Sequence, residues 1–248
     1  GMGLGSCRII LESDEYLKDF QLRKYANDAP LYANLGIAQL EEIFDADKSY
    51  LITDLINKTE TDGLIIHVNP LQEWLQPEGD IFKRSPLSTI KQATDLGIKI
   101  IVKEVGQGFG PASLKELMKL PVSAIDFGAH GGTNFSKLEM HRAHEIRQEA
   151  FSKVANWGHS AEEMVGFHNC LLEELEGQQT EADIIISGGV RDFMEGYYLT
   201  EKSYANAVYG QASAFLKYAR GDYETLEEYA HLQIEGLKLA MTYLRLKS

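Results

Sequence analysis

After about residue 45, the chain repeats one pattern: apolar residues at helical spacing, then a short run of consecutive apolar residues that ends at glycine or polar residues. Strands buried on both faces of a parallel sheet show such consecutive, rather than alternating, apolar residues. Similar runs occur earlier in the chain. The pattern therefore predicts seven strands, over residues 2–5, 31–35, 63–68, 98–102, 122–127, 183–187 and 205–209.

Amphipathic helices are predicted between these strands, over residues 49–57, 87–96, 113–119 and 161–175. Ser113 and Ser160 are residue types that cap helix N-termini, and Ser160 with Glu163 has the sequence of a capping box. A longer helix is predicted over residues 223–246, with acidic residues in its first turn, where they interact favourably with the helix dipole.

Two fold classes fit this order of elements. A (β/α)8 barrel needs about 250 residues and eight strands, so the chain would be a barrel that lacks its N-terminal segment and first strand. An open, doubly wound α/β sheet also accommodates seven strands. Both folds place the active site at the carboxyl ends of the strands, where glycine and polar residues cluster here. We expect a single domain over residues 1–248, and the pattern alone does not separate the two folds.

The charge narrows the range of partners. The chain has 24 Lys and Arg against 37 Asp and Glu, a formal net charge of −13. Such an acidic protein gains nothing from the counterion release that drives nucleic-acid binding, so we expect neither nucleic acids nor membranes as partners. No apolar run reaches the ~20 residues of a membrane span. Two distant cysteines, Cys7 and Cys170, favour a reducing compartment, and we expect a cytoplasmic protein.

Polar side chains gather just after the strand predicted at residues 63–68. His67, Asn69, Gln72 and Glu73 lie within seven residues of one another. His67 and Asn69 have the same parity along the strand, so we expect them on one side. Mg2+ prefers oxygen ligands and keeps its waters, so this set suits a hydrated Mg2+ beside an anionic ligand. The alternative is a polar loop whose side chains only satisfy backbone groups.

Two further strand ends carry candidate chemistry. Lys103 follows the strand at residues 98–102, where a lysine can neutralise a developing negative charge or simply extend into solvent. Gly131, Gly132 and Thr133 follow the strand at residues 122–127. Such a loop can bring backbone close to a ligand, although glycines are also common in these loops for steric reasons alone.

The last two strand ends predict a phosphate site. The sequence SGGVR at residues 187–191 and the sequence GQAS at residues 210–213 follow successive strands. In (β/α)8 enzymes a phosphate often lies between these two loops, bound by backbone N–H groups. Two glycine turns together with Arg191 suit a phosphate dianion, unless the glycines only permit tight turns.

Taken together, these segments resemble the type 2 isopentenyl-diphosphate isomerases. The most specific motif is HxNPxQExxQPEG at residues 67–79. Other motifs occur in the same order as in that family, namely GMGxGSxR at 1–8, ANxG at 33–36, KEVG at 103–106, GGT at 131–133 and SGGxR at 187–191. The resemblance runs from residue 1 to about residue 216. It implies a (β/α)8 barrel that binds FMN.

The family interconverts isopentenyl and dimethylallyl diphosphate without net redox change. It uses reduced FMN and Mg2+, with NADPH as the reductant of the flavin, and its members form tetramers or octamers. The resemblance implies that Glu73 binds the metal and that Gln72 and Lys103 are catalytic, with Lys103 stabilising the anionic reduced ring. Implied substrate-binding residues are Ser6, Arg8, His67, Asn69 and Gln72. Implied FMN-binding residues are Asn34, Lys103, Thr133, Gly188, Gly189, Arg191, Gly210 and Gln211.

The chain departs from the family pattern in three respects. Family members carry further N-terminal residues, including a basic segment and the first barrel strand, so we expect the chain to be a piece of a longer protein. Asn134 and Phe135 stand where the family usually has serine and tryptophan. His130 occupies a position where we expect a small or a basic residue. We expect the last two departures to alter the surroundings of the flavin without abolishing binding.

Two other functions compete with the isomerase. An FMN-dependent 2-hydroxy-acid oxidase or dehydrogenase shares the barrel and its phosphate site, but such enzymes use a histidine base late in the barrel. No histidine lies between Ser187 and Tyr229. The other alternative is a non-catalytic flavin-binding remnant, because a missing strand exposes two sheet edges that favour aggregation.

Overall fold

The strands form one sheet in chain order. The computed structural model describes residues 1–76, 79, 82–179 and 181–247. Within these residues the sheet has seven strands in the order β1 to β7, and the pairs β1–β2, β2–β3 and β6–β7 are parallel. The strands are β1 Met2–Gly3, β2 Leu31–Gly36, β3 Gly63–Val68, β4 Ile100–Glu104, β5 Ala124–Asp126, β6 Asp183–Ile186 and β7 Ala207–Tyr209. All seven predicted strands are confirmed, with ends that differ by no more than two residues.

The strand order separates the two candidate folds. A doubly wound sheet starts near its middle and reverses direction at a switch point, which gives orders such as 3-2-1-4-5-6. Here each strand follows its predecessor in the sheet without reversal, as the strands of a (β/α)8 barrel do. The observed fold is therefore α/β with barrel-like strand order.

Helices connect the strands. Two single 3-10 turns lie at Asp14–Tyr16 and Val154–Asn156. The α-helices are α1 Arg8–Glu12, α2 Leu17–Phe20, α3 Arg23–Ala26, α4 Ile37–Asp45, α5 Tyr50–Thr59, α6 Pro70–Leu75, α7 Pro86–Thr94, α8 Pro111–Leu117, α9 Phe135–Arg142, α10 Glu145–Phe151, α11 Ala161–Leu175, α12 Phe193–Lys202, α13 Ser213–Ala219 and α14 Tyr223–Tyr243.

The helix boundaries test the capping predictions. Helix α11 spans the predicted residues, and its capping box is confirmed: the Glu163 N–H donates to Ser160 Oγ at 3.3 Å and the Ser160 N–H to Glu163 Oε2 at 2.8 Å. Ser113 was wrong as an N-cap, because α8 begins earlier, with Gly110 as N-cap and Pro111 in its first turn. Proline has its φ preset for that position and lacks the N–H that would go unpaired there.

The chain divides into two compact units. The first comprises Gly1–Lys103 with Leu120–Ala124, and the second comprises Glu104–Lys119 with the residues from Ile125 on. Fully buried apolar side chains of the first unit include Leu31, Leu35, Leu64, Ile66 and Ile100, and those of the second include Leu114, Phe127, Met164, Ile184 and Ile186. The expectation of a single domain stays a prediction.

Across the described part of the chain, no helix is both long and apolar enough to cross a membrane.

Candidate active site

In the first unit, an amide fixes the orientation of the histidine that ends β3. Asn34 donates its Nδ2–H to the Leu4 carbonyl at 3.0 Å, so its Oδ1 faces His67 Nδ1, at 2.8 Å. An amide oxygen only accepts hydrogen bonds, so the imidazole proton lies on Nδ1. His67 therefore presents an unprotonated Nε2.

Burial keeps this imidazole neutral. Desolvation lowers the pKa of His67 to about 4, and the positive charge of Lys103 on β4 acts in the same direction. Gly36 contributes by its lack of a side chain, since a Cβ there would lie 2.8 Å from His67 Nε2 and would also overlap Gln39 Oε1. The ANxG motif thus supplies both the hydrogen-bond partner and the space for the histidine.

The residues predicted to bind the metal and substrate lie together at the start of α6. Asn69 donates its Nδ2–H groups to Glu73 Oε1 at 2.6 Å and to Gln72 Oε1 at 3.3 Å. The Asn69 side-chain oxygen is buried and has no hydrogen-bond partner among the described residues. We call Asn34, His67, Asn69, Gln72 and Glu73 the side-chain cluster. Pro77 and Glu78 of the same motif lie outside the described residues.

The donor set of this cluster fits Mg2+ better than a transition metal. Within the ranges that the structure describes, no group of three or more His, Cys, Asp and Glu side chains is arranged for a metal ion. Mg2+ in enzymes is often held by one or two carboxylates, waters and substrate phosphates. The Glu73 carboxylate beside the unsatisfied Asn69 oxygen matches that pattern.

The remaining site residues predicted in the first unit are Ser6 and Arg8, which follow β1. Both are exposed, and Arg8 Nε lies 4.0 Å from Glu12 Oε1. Both side chains are accessible to a ligand.

In the second unit, two glycine-rich loops pack backbone against backbone. Gly188 and Gly189 have φ of +89° and +83°. A Cβ on Gly188 would overlap the Ala129 backbone, with the carbonyl carbon at 2.6 Å, and a Cβ on Gly132 would lie 3.0 Å from the Gly189 nitrogen. Only glycine fits at Gly188, and a side chain at Gly132 would require the facing backbone to shift. We call residues 128–133 and 187–191 the glycine loops.

A buried hydroxyl–carboxylate pair ties these loops to the sheet. The Ser187 hydroxyl donates to the Asp126 carboxylate in a short hydrogen bond and accepts the Gly128 N–H at 3.0 Å. Asp126 ends β5 and Ser187 follows β6 directly. The pair therefore holds the two loops in register at the carboxyl ends of neighbouring strands.

The other predicted FMN-binding residues of the second unit differ in their exposure and in the hydrogen bonds that hold them. Gly210 donates its N–H to the Ile186 carbonyl at 2.9 Å, and the buried Nε2 of Gln211 has no partner among the described residues. Thr133 is exposed. The Arg191 side chain is 83% exposed and lies 3.7 Å from Glu195 Oε1. Gln211 thus offers an unused donor, whereas Arg191 is already paired.

Of the residues that depart from the family pattern, His130 has a buried Nδ1 without a hydrogen-bond partner among the described residues, whereas Asn134 is well bonded. Asn134 caps α9 by accepting the Lys137 N–H at 2.9 Å, a role in which asparagine and serine are about equally effective. Phe135 is partly exposed, and His130 pairs through its backbone with Ser160. We find no backbone distortion that these residues would cause.

Glu139 and Glu104 are among the buried carboxylates to which the sequence pattern assigned no role. Glu139 is 4% exposed and pairs with Arg142 at 2.8 Å. Glu104 is 6% exposed and accepts three backbone N–H groups, and burial raises its pKa to about 7. The available signal for Glu104 was the glycine spacing that follows it, at residues 106 and 108, which permits a turn back onto the carboxylate.

Solved structures share the fold. A mandelate oxidase variant carrying an FMN adduct matches with a TM-score of 0.51 at 9% identity, over 97% of this chain and 73% of the oxidase. A putative lactate oxidase from Pediococcus acidilactici matches with a TM-score of 0.51 at 12% identity, over 88% of this chain and 58% of that protein. At such low identity the likeness shows the fold alone.

Sequence relatives are closer. No protein-family model matches the chain. An isopentenyl-diphosphate delta-isomerase from a Nostoc species is 36% identical over 196 residues, which are 78% of this chain and 53% of the relative. Isopentenyl-diphosphate delta-isomerases from Rickettsia felis and Rickettsia africae are 33% and 34% identical over 242 residues, 97% of this chain and 67% of each relative. The chain thus spans about half of the first relative and two thirds of the others, and it belongs to the isopentenyl-diphosphate delta-isomerase family.

Proposed function

We propose that the protein is a type 2 isomerase that interconverts isopentenyl and dimethylallyl diphosphate, with reduced FMN as the acid–base cofactor and Mg2+ on the substrate diphosphate. The observation that carries the proposal is the side-chain cluster. Four of its residues come from the HxNPxQE motif, and Asn69 lies within hydrogen-bond distance of both Gln72 and Glu73. Relatives at 33–36% identity that bear the isomerase name support the same activity.

The reaction moves a double bond, so one carbon gains a proton and another loses one. When bound, reduced FMN supplies the acid–base group for this step, which few side chains can perform on an unactivated alkene. Lys103 places a positive charge near the ring and stabilises its anionic reduced form. His67 stays neutral and offers Nε2 as a hydrogen-bond acceptor, and Gln72 orients the substrate.

The diphosphate end of the substrate is bound through Mg2+. Glu73 and the Asn69 side-chain oxygen supply protein oxygens, and waters with diphosphate oxygens complete the shell. Ser6 and Arg8 bind the diphosphate directly. The proposal needs no second carboxylate, in agreement with the donor set of the cluster.

The resemblance assigns FMN-binding residues in each unit, and we propose them unit by unit. The proposed ligands in the first are Asn34 and Lys103, and those in the second are Thr133, Gly188, Gly189, Arg191, Gly210 and Gln211. Consecutive positive-φ glycines turn their N–H groups toward one side, which suits a phosphate dianion. The buried, unpartnered Nε2 of Gln211 supplies a further donor.

The same proposal includes a (β/α)8 barrel and a homo-oligomer of four or eight chains. Strand order supports the barrel. Exposed apolar side chains on α14, among them Leu232, Ile234, Leu239 and Met241, support an assembly that covers them. The resemblance adds NADPH as the reductant of FMN and a cytoplasmic location.

An anaerobic assay tests the function. The protein is incubated with isopentenyl diphosphate, FMN, Mg2+ and NADPH, and dimethylallyl diphosphate is measured. We expect product that disappears when FMN or Mg2+ is omitted and in Glu73→Gln. An absence of product despite bound flavin would contradict the proposal. Flavin reduction by lactate or mandelate would then favour the 2-hydroxy-acid oxidase.

The role of Lys103 has its own test. Replacing it by methionine keeps the length of the side chain and removes the charge. We expect Lys103→Met to retain FMN and to lose most isomerase activity, because the anionic ring is no longer stabilised. Normal turnover by this variant would contradict the role.

A further inference from the structure

Glu104 ends β4 and folds its side chain back onto the loop that follows. The backbone N–H groups of Gly106, Gln107 and Gly108 donate to its Oε2 at 2.7, 2.6 and 2.8 Å. Gly106 and Gly108 have φ of +139° and +74°, which glycine adopts without strain. Successive N–H groups in such a turn form an anion-binding nest. Here the carboxylate of the chain itself occupies the nest.

This carboxylate is in a costly position. Only 6% of the residue is exposed, and burial raises its pKa to about 7 although the N–H donors act in the opposite direction. Buried charged groups persist where hydrogen bonds compensate for lost hydration. Removing the side chain would leave three converging N–H groups without an acceptor, which is itself unfavourable. The carboxylate and the loop therefore depend on each other.

The loop in turn holds the segment that carries Thr133. A Cβ on Gly106 would lie 2.8 Å from the Thr133 carbonyl oxygen, so the two backbones are in close contact. Gln107 donates its side-chain N–H to Ser136 Oγ at 3.1 Å, and its carbonyl accepts the His159 N–H at 2.7 Å. Displacing residues 106–108 would thus disturb the backbone at Thr133 and in the segment that follows it.

We propose that Glu104 is a positioning residue of the flavin site, which fixes the backbone around Thr133 by holding residues 106–108 through three N–H···O hydrogen bonds. Glu104 does not touch the flavin itself in this arrangement. The inference rests on the proposed function, because Thr133 is one of the residues assigned there to FMN.

Titration of the protein with FMN, followed by flavin fluorescence, tests the proposal. We expect Glu104→Ala to bind FMN about tenfold to a hundredfold more weakly and to alter the visible spectrum of the flavin that still binds, because the unpaired N–H groups release the loop. Glu104→Gln retains an acceptor oxygen and should recover most of the affinity. Wild-type affinity and an unchanged spectrum in Glu104→Ala would overturn the proposal.

A matched control separates positioning from a general loss of stability. Glu41 is as deeply buried, at 5% exposure, and accepts the Lys83 N–H at 2.9 Å in the first unit. We expect Glu41→Ala to bind FMN with wild-type affinity. An equal loss of FMN affinity in Glu41→Ala and Glu104→Ala would overturn the proposal. Should Glu104→Ala fail to fold, Glu104→Asp gives the same comparison, because its shorter side chain draws the carboxylate away from the N–H groups.

Amide hydrogen exchange without FMN distinguishes this inference from the proposed function. In Glu104→Ala we expect faster exchange at residues 106–108 and 133–136 and unchanged exchange in α11. If the wild-type protein binds no FMN but exchange responds in this way, the flavin function fails, and the link between Glu104 and the backbone around Thr133 stands. Unchanged exchange at residues 133–136 would overturn the link whether or not FMN binds.

Discussion

The side-chain cluster and the glycine loops are built in opposite ways. In the first, hydrogen bonds between side chains fix the polar groups: Asn34 bonds to His67, and Asn69 bonds to Glu73. In the second, backbone packs directly on backbone, and the essential feature at Gly132 and Gly188 is the absence of a side chain. The first arrangement suits a metal and a proton acceptor, and the second suits a phosphate group. The two regions should therefore respond to different kinds of substitution.

The largest effect is expected from a methyl group in the glycine loops. In Gly188→Ala the new Cβ would overlap the Ala129 backbone, and the alanine would have to adopt a φ of +89°. We therefore expect the free energy of unfolding to fall by roughly 3 kcal/mol or more. Gly177→Ala is the matched control, because Gly177 has a φ of +86° but nothing within 4 Å of its Cβ. Gly177→Ala should lower the free energy of unfolding by only about 1 to 2 kcal/mol. Similar losses for both variants in urea denaturation would contradict the backbone-packing account.

A methyl group in the side-chain cluster should have a smaller effect. In Gly36→Ala the new Cβ would meet His67 Nε2 at 2.8 Å and the end of Gln39, and these side chains can shift. We expect a loss of about 1–3 kcal/mol, as for overpacking elsewhere, and a displaced imidazole. Gly5→Ala, with open space around its Cβ, should change neither urea stability nor the imidazole NMR signals of His67. Unchanged His67 signals in Gly36→Ala would contradict this packing.

Two buried groups, His67 and Glu104, should make the stability depend on pH in opposite directions. The folded pKa of His67 is lowered to about 4, so the unfolded chain takes up a proton first as pH falls below about 6.5. Stability linked to His67 is therefore lost between about pH 6.5 and 4, by up to about 1.4 kcal/mol per pH unit. His168 in the second unit, also lowered to about 4 by burial, adds a similar loss. We expect His67→Gln to remove the slope due to His67.

Glu104 makes the stability depend on pH in the opposite direction to His67. Its folded pKa is raised to about 7, so the stability linked to its protonated form is present at low pH and is lost as pH rises from about 4.5 through 7. Urea denaturation of Glu104→Gln and His67→Gln between pH 5 and 7.5 should give pH slopes that deviate from the wild type in opposite directions. Deviations of the same sign would show that one of the two groups has an ordinary pKa.

The smallest effect is expected at the surface of the glycine loops. Arg191 and Glu195 form an exposed pair at 3.7 Å, which contributes less than about 0.5 kcal/mol to stability. Glu195→Gln should leave the urea midpoint almost unchanged and should strengthen FMN binding slightly, because Arg191 is freed for the phosphate. Weaker FMN binding would mean that Glu195 holds Arg191 in its binding position.

Much of the fold follows from the sequence pattern, because consecutive apolar residues mark most of the strands. The pattern did not reveal the order of strands in the sheet, which depends on contacts between distant segments. It also placed the start of α8 at Ser113, from the capping preference of serine, whereas the helix begins at Pro111, two residues earlier. Local propensity thus predicted elements better than boundaries.

The candidate site shows a similar division. The grouping of Asn69, Gln72 and Glu73 was predictable, because the residues are close in sequence and a helix begins among them. The bonds of Asn34 to Leu4 and His67 were not, since they join β2 to the segments on either side of it in the sheet. Glu104 was missed because its partners are backbone groups, which every residue carries. A sequence shows such sites only through the glycines that permit the turn.

FMN titration of two variants tests most directly the claim that the glycine loops hold the flavin and the side-chain cluster holds the metal and substrate. Gly189→Ala adds a Cβ 3.2 Å from the Gly131 Cα at a φ of +83°, and Glu73→Gln removes the carboxylate of the cluster. We predict that Gly189→Ala weakens FMN binding about tenfold, since a left-handed alanine costs about 1–2 kcal/mol, and that Glu73→Gln binds FMN as the wild type does. Weaker FMN binding in Glu73→Gln, with wild-type affinity in Gly189→Ala, would contradict the account.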